Sequence, residues 1–348
     1  MKNYIPTIDV SPLIQNNFNS TKSHETIKKI EKACVEVGFF QIIGHGIPLN
    51  KIIKICSVGE KFFNSPNAKK LKLAPKKWNK SNENKYRGYF PSDVNGKEGL
   101  DIGDLLVGKK YSKTVKNQYI EYLNLNKAFS KSSIDLLKDY YNLIFLLSEK
   151  LFQSVITLYK KDIKISKLAF QRLKTLSTLR FNYYPNQTKP VEISKEDGVA
   201  LGCETHVDSG IFTILYQNKK GGLQVQNRNT KKWYDVPFNK KALVVNTGLA
   251  LEYLTKGKFK ATNHRVLWNK SKRLSVPFFF EPSYDFKINN SFLHSNKIEK
   301  DGIFYEKFLN KSLEKFVSIK DSHYLLINMD RLNIKESLFL PILNYANV

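Results

Sequence analysis

Thr178-Leu179-Arg180-Phe181-Asn182-Tyr183-Tyr184 is the stretch at which the chain changes its period. Before about residue 175, apolar residues recur three and four apart, the spacing of helices that bury one face. From here on the sequence breaks into short β-rich segments separated by Gly, Pro and Asn. After Thr178–Tyr184 they cover 212–216, Leu223–Gln226, 233–236, 242–245, His264–Leu267 and 274–280. Many short strands at close spacing argue for a sandwich or jelly roll.

Outward from that core, the longest helical pattern is 132–159, with Leu136, Tyr140, Leu143, Leu147, Leu151 and Val155 on one face. A second covers 21–37 through Ile27, Ile30, Ala33, Cys34 and Val37, and Gly38 is placed to stop it. A third runs over 52–63, up to the Ser65-Pro66 break. Residues 6–9 and Phe39–Ile43 read as strands, the second ended by Gly44-His45-Gly46. The polar stretch 76–85 reads as a loop, and the tail beyond Glu281 as loops with one or two helices. No internal repeat is visible. The expected fold class is mixed α and β: a helix-rich N-terminal part leads into a barrel-like β part, where the chemistry should sit.

The bulk properties set limits. A chain of 348 residues holds one large domain or two modest ones, with a substantial core. With 41% hydrophobic and 13% aromatic residues the composition is globular. No apolar run approaches the roughly 20 residues that cross a bilayer. Nor does the N-terminus, with Asp9 close behind Pro6, read as a secretory signal. Cys34, Cys56 and Cys203 are too few and too scattered for a disulfide framework or a zinc knuckle. Reduced thiols in a cytoplasmic protein are expected. The formal charge of +26 raises a nucleic-acid role. But the lysines are spread along the chain among many asparagines, with no Arg-rich arm and no zinc-finger spacing. They read as a solvated surface, which leans toward an anionic small molecule rather than nucleic acid or membrane.

His206-Val207-Asp208 is the first chemical constellation. On extended backbone, residues i and i+2 point to the same side, so an imidazole and a carboxylate converge. His264, at a strand start, is the candidate third ligand. Two histidines and one carboxylate leave coordination positions open for a bidentate 2-oxo acid and O2. A closed four-ligand zinc site does not. Alone, the pattern is weak, because a strand histidine is more often a hydrogen-bonded structural residue. Arg273-Leu274-Ser275 changes the balance. Arg273 and Ser275 share one strand face within a hairpin's length of His264, and a guanidinium beside a hydroxyl is suited to grip a carboxylate. The apolar run Val276-Pro277-Phe278-Phe279-Phe280 makes this an unusual setting for a surface arginine.

Taken in order, these pieces resemble the isopenicillin N synthase-like 2-oxoglutarate/Fe(II)-dependent dioxygenases, from about residue 4 to about residue 285. The motifs are Ile5-Pro6-Thr7-Ile8-Asp9, Gly38-Phe39-Phe40-Gln41-Ile42-Ile43-Gly44-His45-Gly46-Ile47-Pro48, Arg87-Gly88-Tyr89 and Lys97-Glu98-Gly99-Leu100-Asp101. Leu179-Arg180-Phe181-Asn182-Tyr183-Tyr184-Pro185 and His206-Val207-Asp208-Ser209-Gly210 follow. Gly221-Gly222-Leu223-Gln224-Val225, Asn263-His264-Arg265-Val266 and Arg273-Leu274-Ser275 complete the set.

The resemblance implies a double-stranded β-helix, a jelly-roll, cupin-like core with flanking helices. It implies an N-terminal dioxygenase region at 1–115, a helical connection at 116–174, the catalytic β-core at 175–285 and a helical tail or lid at 286–348. His206, Asp208 and His264 would be the catalytic Fe(II) ligands. Arg273 and Ser275 would bind the far carboxylate of 2-oxoglutarate, supported by Asn182 and Tyr184. His45 would be structural, while His24, His294 and His323 match no motif. The implied reaction consumes 2-oxoglutarate and O2, with ascorbate as a candidate reductant, and releases succinate and CO2. It hydroxylates, desaturates or cyclises a small molecule, in a monomer or weak homo-oligomer. The alternatives are a same-fold Fe(II) oxidase that spares 2-oxoglutarate, and a metal-free binding protein. Two departures stand out: Leu249 sits where many relatives place Asp, and the loop between His264 and Arg273 is about one residue short. The first bears on the hydrogen bonding that orients a ligand. The second bears on where the arginine sits.

Overall fold

The computed structural model describes residues 4–15, 18–91, 97–115, 117–185, 190, 192–218, 221–269, 271–290, 292–294 and 302–314. In its first half the strands are β1 (Thr7–Asp9), β2 (Phe39–Ile43), β3 (Gly88–Phe90) and β4 (Glu98–Ile102). The core adds β5 (Thr178–Tyr184), β6 (Glu192–Ile193), β7 (Ala200–His206), β8 (Phe212–Gln217), β9 (Leu223–Gln226), β10 (Trp233–Asp235), β11 (Leu243–Thr247), β12 (His264–Leu267) and β13 (Arg273–Phe280). A major sheet has the order β1-β2-β11-β8-β13-β5-β4-β3, and a minor one the order β10-β9-β12-β7-β6. From β7 onward the chain passes back and forth between the two sheets, which is the winding of a double-stranded β-helix.

The alternation along β5 shows how sequence sets the layers. Leu179, Phe181 and Tyr183 are buried in the large core beneath the helices, while Tyr184 joins a smaller core between the sheets. Strand β13 does the same: Leu274, Val276, Phe278 and Phe280 are all 0–1% exposed on the helix side. Each buried aromatic or aliphatic side chain of this kind contributes about 1.5–3 kcal/mol.

The helices are α1 (Ser11–Gln15), α2 (Thr21–Glu36), α3 (Leu49–Phe63), α4 (Asn67–Leu71), α5 (Lys109–Val115), α6 (Lys131–Leu158), α7 (Ser166–Ala169), α8 (Leu249–Leu254) and α9 (Tyr305–Glu314). Helix α2 starts on Ser20, whose hydroxyl accepts the Ser23 N–H at 3.1 Å. It ends at Gly38, with φ +74°, where an added Cβ would lie 2.4 Å from the Lys260 carbonyl. Helix α3 starts at Leu49, three residues before the apolar pattern begins at Ile52, because Pro48 supplies an extended cap. Helix α6 lies across the outer face of the major sheet, with Tyr141 edge-on to Phe278 at 5.2 Å and Phe145 edge-on to Phe280 at 5.4 Å.

The structure departs from the sequence reading in three places. In the N-terminal region, where strands over 6–9 and Phe39–Ile43 are expected, β3 and β4 are added, and all four extend the major sheet, β2 along β11 and β4 along β5. Strand β7 was not expected, because its burial does not alternate. A short hairpin, β14 (Lys287–Ile288) with β15 (Ile303–Phe304), precedes α9 in the tail. The expected tail beyond residue 314, and His323 within it, lie outside the described residues.

Candidate metal centre

The centre forms where the minor sheet meets the first turn after β7. His206 ends β7 and pairs in register with His264, the first residue of β12. Their rings stand 4.2 Å apart between centroids. Asp208 lies two residues past the strand, on irregular backbone, so the turn rather than strand alternation aims its carboxylate. Its main-chain carbonyl accepts the Leu249 N–H at 2.8 Å, which ties the turn to α8. Asp208 Oδ1 is 3.7 Å from Nε2 of both His206 and His264. One donor atom from each of the three residues lies within 4.8 Å of the others.

The surroundings decide which atoms face inward. Nδ1 of His206 is 2.8 Å from the Glu204 carbonyl, and Nδ1 of His264 is 3.2 Å from the Thr262 carbonyl. A carbonyl only accepts, so Nδ1 carries the proton and Nε2 is the ring atom each imidazole offers a cation. Thr213 Oγ1 and Asn246 Nδ2 donate to Asp208 Oδ2 at 2.5 and 2.8 Å, which leaves Oδ1 for the same cation. Burial pushes the Asp208 pKa up, but the His264 and His206 imidazoles and these two donors outweigh it, so the carboxyl is held below its usual value. Burial and the neighbouring His206 push His264 down to about 4, which favours its neutral, ligating form. For His206, burial opposes the cation, but Cys203 and Asp208 raise the pKa to about 9. A divalent cation bound in this triad would take the place of that proton.

The other four residues expected from sequence come together on the adjoining sheet. Arg273 is in register with Tyr184, and Ser275 with Asn182 on one side and Gln217 on the other. Paired antiparallel residues share a face, so all five project together. Arg273 is 6% exposed, its guanidinium lies 5.0 Å from the Tyr184 ring centroid, and Nη2 reaches Gln217 Oε1 at 3.3 Å. Its Nε has no hydrogen-bond partner among the described residues, and no carboxylate there pairs with it. A buried guanidinium with an unused donor fits an incoming carboxylate, and two imidazoles with one carboxylate fit Fe(II). The residues present therefore fit both the metal and the 2-oxo acid.

Sequence reasoning missed several contributors. Thr213 and Gln217 sit two strand repeats apart on β8, a face that period-2 counting marks, but nothing local tells which partner they meet. Leu249 lacks the side-chain donor or acceptor of an aspartate, yet its backbone N–H still serves Asp208, and Asn246 supplies the side-chain bond. His45 lies apart from the site, its Nδ1 accepting the Ile47 N–H at 3.2 Å. Beside His206 and Asp208 opens a cavity of about 500 Å³, lined also by Lys97, Arg180, Phe279 and Glu281.

Two family models match the chain. Residues 175–282 fit the 2OG-Fe(II) oxygenase superfamily, and residues 5–134 fit the N-terminal region described as non-haem dioxygenase in morphine synthesis. A probable iron/ascorbate oxidoreductase of Dictyostelium discoideum is 30% identical over 310 residues, 81% of this chain and 82% of that protein. The chain belongs to the 2OG-Fe(II) oxygenase superfamily. Isopenicillin N synthase of Streptomyces griseus is 28% identical over 287 residues, covering 81% of this chain and 85% of the relative. Among solved structures, full-length Neurospora crassa T7H in complex with alpha-KG superposes with a TM-score of 0.69 at 22% identity, over 88% of this chain and 94% of that one. As a member of this superfamily the protein is an oxidoreductase that uses Fe(II) and 2-oxoglutarate to act on a small molecule. Among the described residues no helix is long and apolar enough to cross a membrane.

Proposed function

We propose that His206, Asp208 and His264 hold the Fe(II), and that Arg273 and Ser275 bind the distal carboxylate of 2-oxoglutarate with Asn182 and Tyr184 alongside. The observation that carries this reading is the pairing of two inward Nε2 atoms and one free carboxylate oxygen with a buried, unpartnered Arg273 Nε on the facing sheet. When bound, the metal would activate O2, the oxidant, with 2-oxoglutarate giving up two electrons as it is oxidised to succinate and CO2 and the substrate giving up the other two with its hydrogen. The protein's part is positional. Glu204 and Thr262 carbonyls fix the two imidazole tautomers. Thr213 and Asn246 fix the rotation of the Asp208 carboxylate. Arg273 orients the 2-oxo acid by its far end, so its reacting end meets the triad in one pose. Phe90, Phe279 and Leu309 give the cavity an apolar wall for the body of the substrate. Cys34, Cys56 and Cys203 are unbridged, which supports a reducing, cytoplasmic setting.

The test is succinate release with Fe(II), O2 and 2-oxoglutarate, compared with iron content. The native protein should convert 2-oxoglutarate to succinate, and Asp208→Ala should lose bound iron and succinate together. An Asp208→Ala protein that keeps native iron loading and native turnover would refute the ligand set. Substrate oxidation with no succinate formed would point to the oxidase alternative.

A further inference from the structure

Four cations line the cavity beside the triad: Lys85 is exposed, while Arg87, Arg180 and Lys97 differ in how they are neutralised. Arg87 directs its guanidinium to Thr178 Oγ1 and, at 3.0 Å, to the Leu176 carbonyl. Arg180 makes a two-pronged pair with Asp101, both bonds at 2.6 Å through Nε and Nη2, and its guanidinium lies 5.2 Å from the Phe279 ring centroid. Lys97 has no carboxylate within reach among the described residues. Its Nζ meets the Cys203 thiol at 3.0 Å and the Tyr184 ring at 5.9 Å. The adjacent Glu98 is engaged elsewhere, with Lys70 at 2.6 Å and Tyr89 at 2.5 Å.

The acidic groups of the cavity do not fill the gap. Asp208 is committed to the triad, and Glu204 is exposed. Glu281 is pushed up to about 7 by burial, so near neutrality much of it is uncharged. Within the cavity the Lys97 ammonium is therefore held by a sulfur and a ring, with no oxygen anion beside it, and a ligand carboxylate would supply one. Arg273 is not part of this cavity wall, whereas Lys97 and Arg180 line it together with His206 and Asp208. The two cationic positions therefore serve different ligands.

We infer that Lys97, with Arg180 beside it, seats a carboxylate of the organic substrate, so that the substrate is a small carboxylic acid whose apolar body lies against Phe90 and Phe279. This rests on the metal and 2-oxoglutarate assignments above. It adds a specificity-determining residue and a substrate class to them.

The test uses protein loaded with 2-oxoglutarate and Mn(II) in place of Fe(II). Binding of phenylacetate, benzoate, cinnamate and octanoate is measured by calorimetry against the corresponding primary amides. At least one acid should bind about tenfold or more tightly than its amide, as expected when a charge-assisted bond is lost. Lys97→Gln should abolish that preference while leaving 2-oxoglutarate affinity unchanged, and Lys97→Arg should retain it. Equal binding of every acid and its amide overturns the inference. So does a Lys97→Gln protein that weakens for 2-oxoglutarate and keeps its preference for the acid. Loss of 2-oxoglutarate binding in the native protein is a different failure and strikes the underlying assignment instead.

Discussion

Asp208 shows how much of the site is decided one atom away from the proposed ligands. Its Oδ2 takes two hydrogen bonds, so only Oδ1 is left for the cation. Asn246→Ala or Thr213→Val should therefore lower metal affinity by about 10–100-fold with the fold intact, as loss of such supporting bonds does. Titration with Mn(II) followed by calorimetry measures it. Glu281 makes a second prediction. Burial raises its folded-state pKa from 4.5 to about 7, against the pull of Arg87 and the Ser209 hydroxyl. Between those values the unfolded chain has already released a proton that the folded chain still holds. Stability therefore falls as pH rises through this window and levels off above it. Glu281→Gln removes the slope. Relative to the native protein it should gain on the order of 3 kcal/mol between pH 4 and pH 8, read from melting curves across pH. Of these residues, the triad and the Arg273–Ser275 pair were legible, because each lies on a short motif of chemically matched types. Thr213, Lys97 and Glu281 were not: Thr213 meets Asp208 only through the turn between β7 and β8, and the other two depend on neighbours more than 70 residues away or on burial that no local pattern encodes.

Single elements show the same division. The strands of the major sheet alternate apolar residues toward the helices and stood out, with β5 running over the very residues Thr178–Tyr184 that mark the change of period. Strand β7 carries His206 but was hidden, because Gly202, Glu204 and Thr205 interrupt any alternation and its last residues face solvent or the site. Its neighbour is held by a close backbone approach. A Cβ on Gly248 would lie 2.2 Å from the Gly210 carbonyl oxygen and 2.9 Å from the Gly210 nitrogen. Backbone atoms cannot swing aside as a side chain does. Gly248→Ala should therefore displace the start of α8 from the Asp208 turn, costing about 1–3 kcal/mol of stability and weakening metal binding as well. Denaturant unfolding and metal titration of the same variant check both effects.

Across the whole molecule, the jelly roll and its flanking helices were readable, but the way the N-terminal third joins it was not. Strands β2 and β4 pair with β11 and β5 across long stretches of sequence, and such non-local pairing leaves no trace in local periodicity. Without its first 115 residues, the major sheet loses one of the two neighbours of β11 and one of the two neighbours of β5. A chain of residues 116–348 should fail to fold cooperatively, showing no sharp thermal transition, while the full chain melts in a single one. The strong positive charge belongs to this scale too, as a field that favours anions around the molecule as a whole. The account as a whole depends on one claim, that this fold assembles an Fe(II) site able to chelate 2-oxoglutarate. Anaerobic addition of Fe(II) and 2-oxoglutarate to the full chain tests it most directly. The account predicts a weak visible charge-transfer band that appears only with both present and is absent in Asp208→Ala. A native protein fully loaded with iron that shows no such band at saturating 2-oxoglutarate would contradict it.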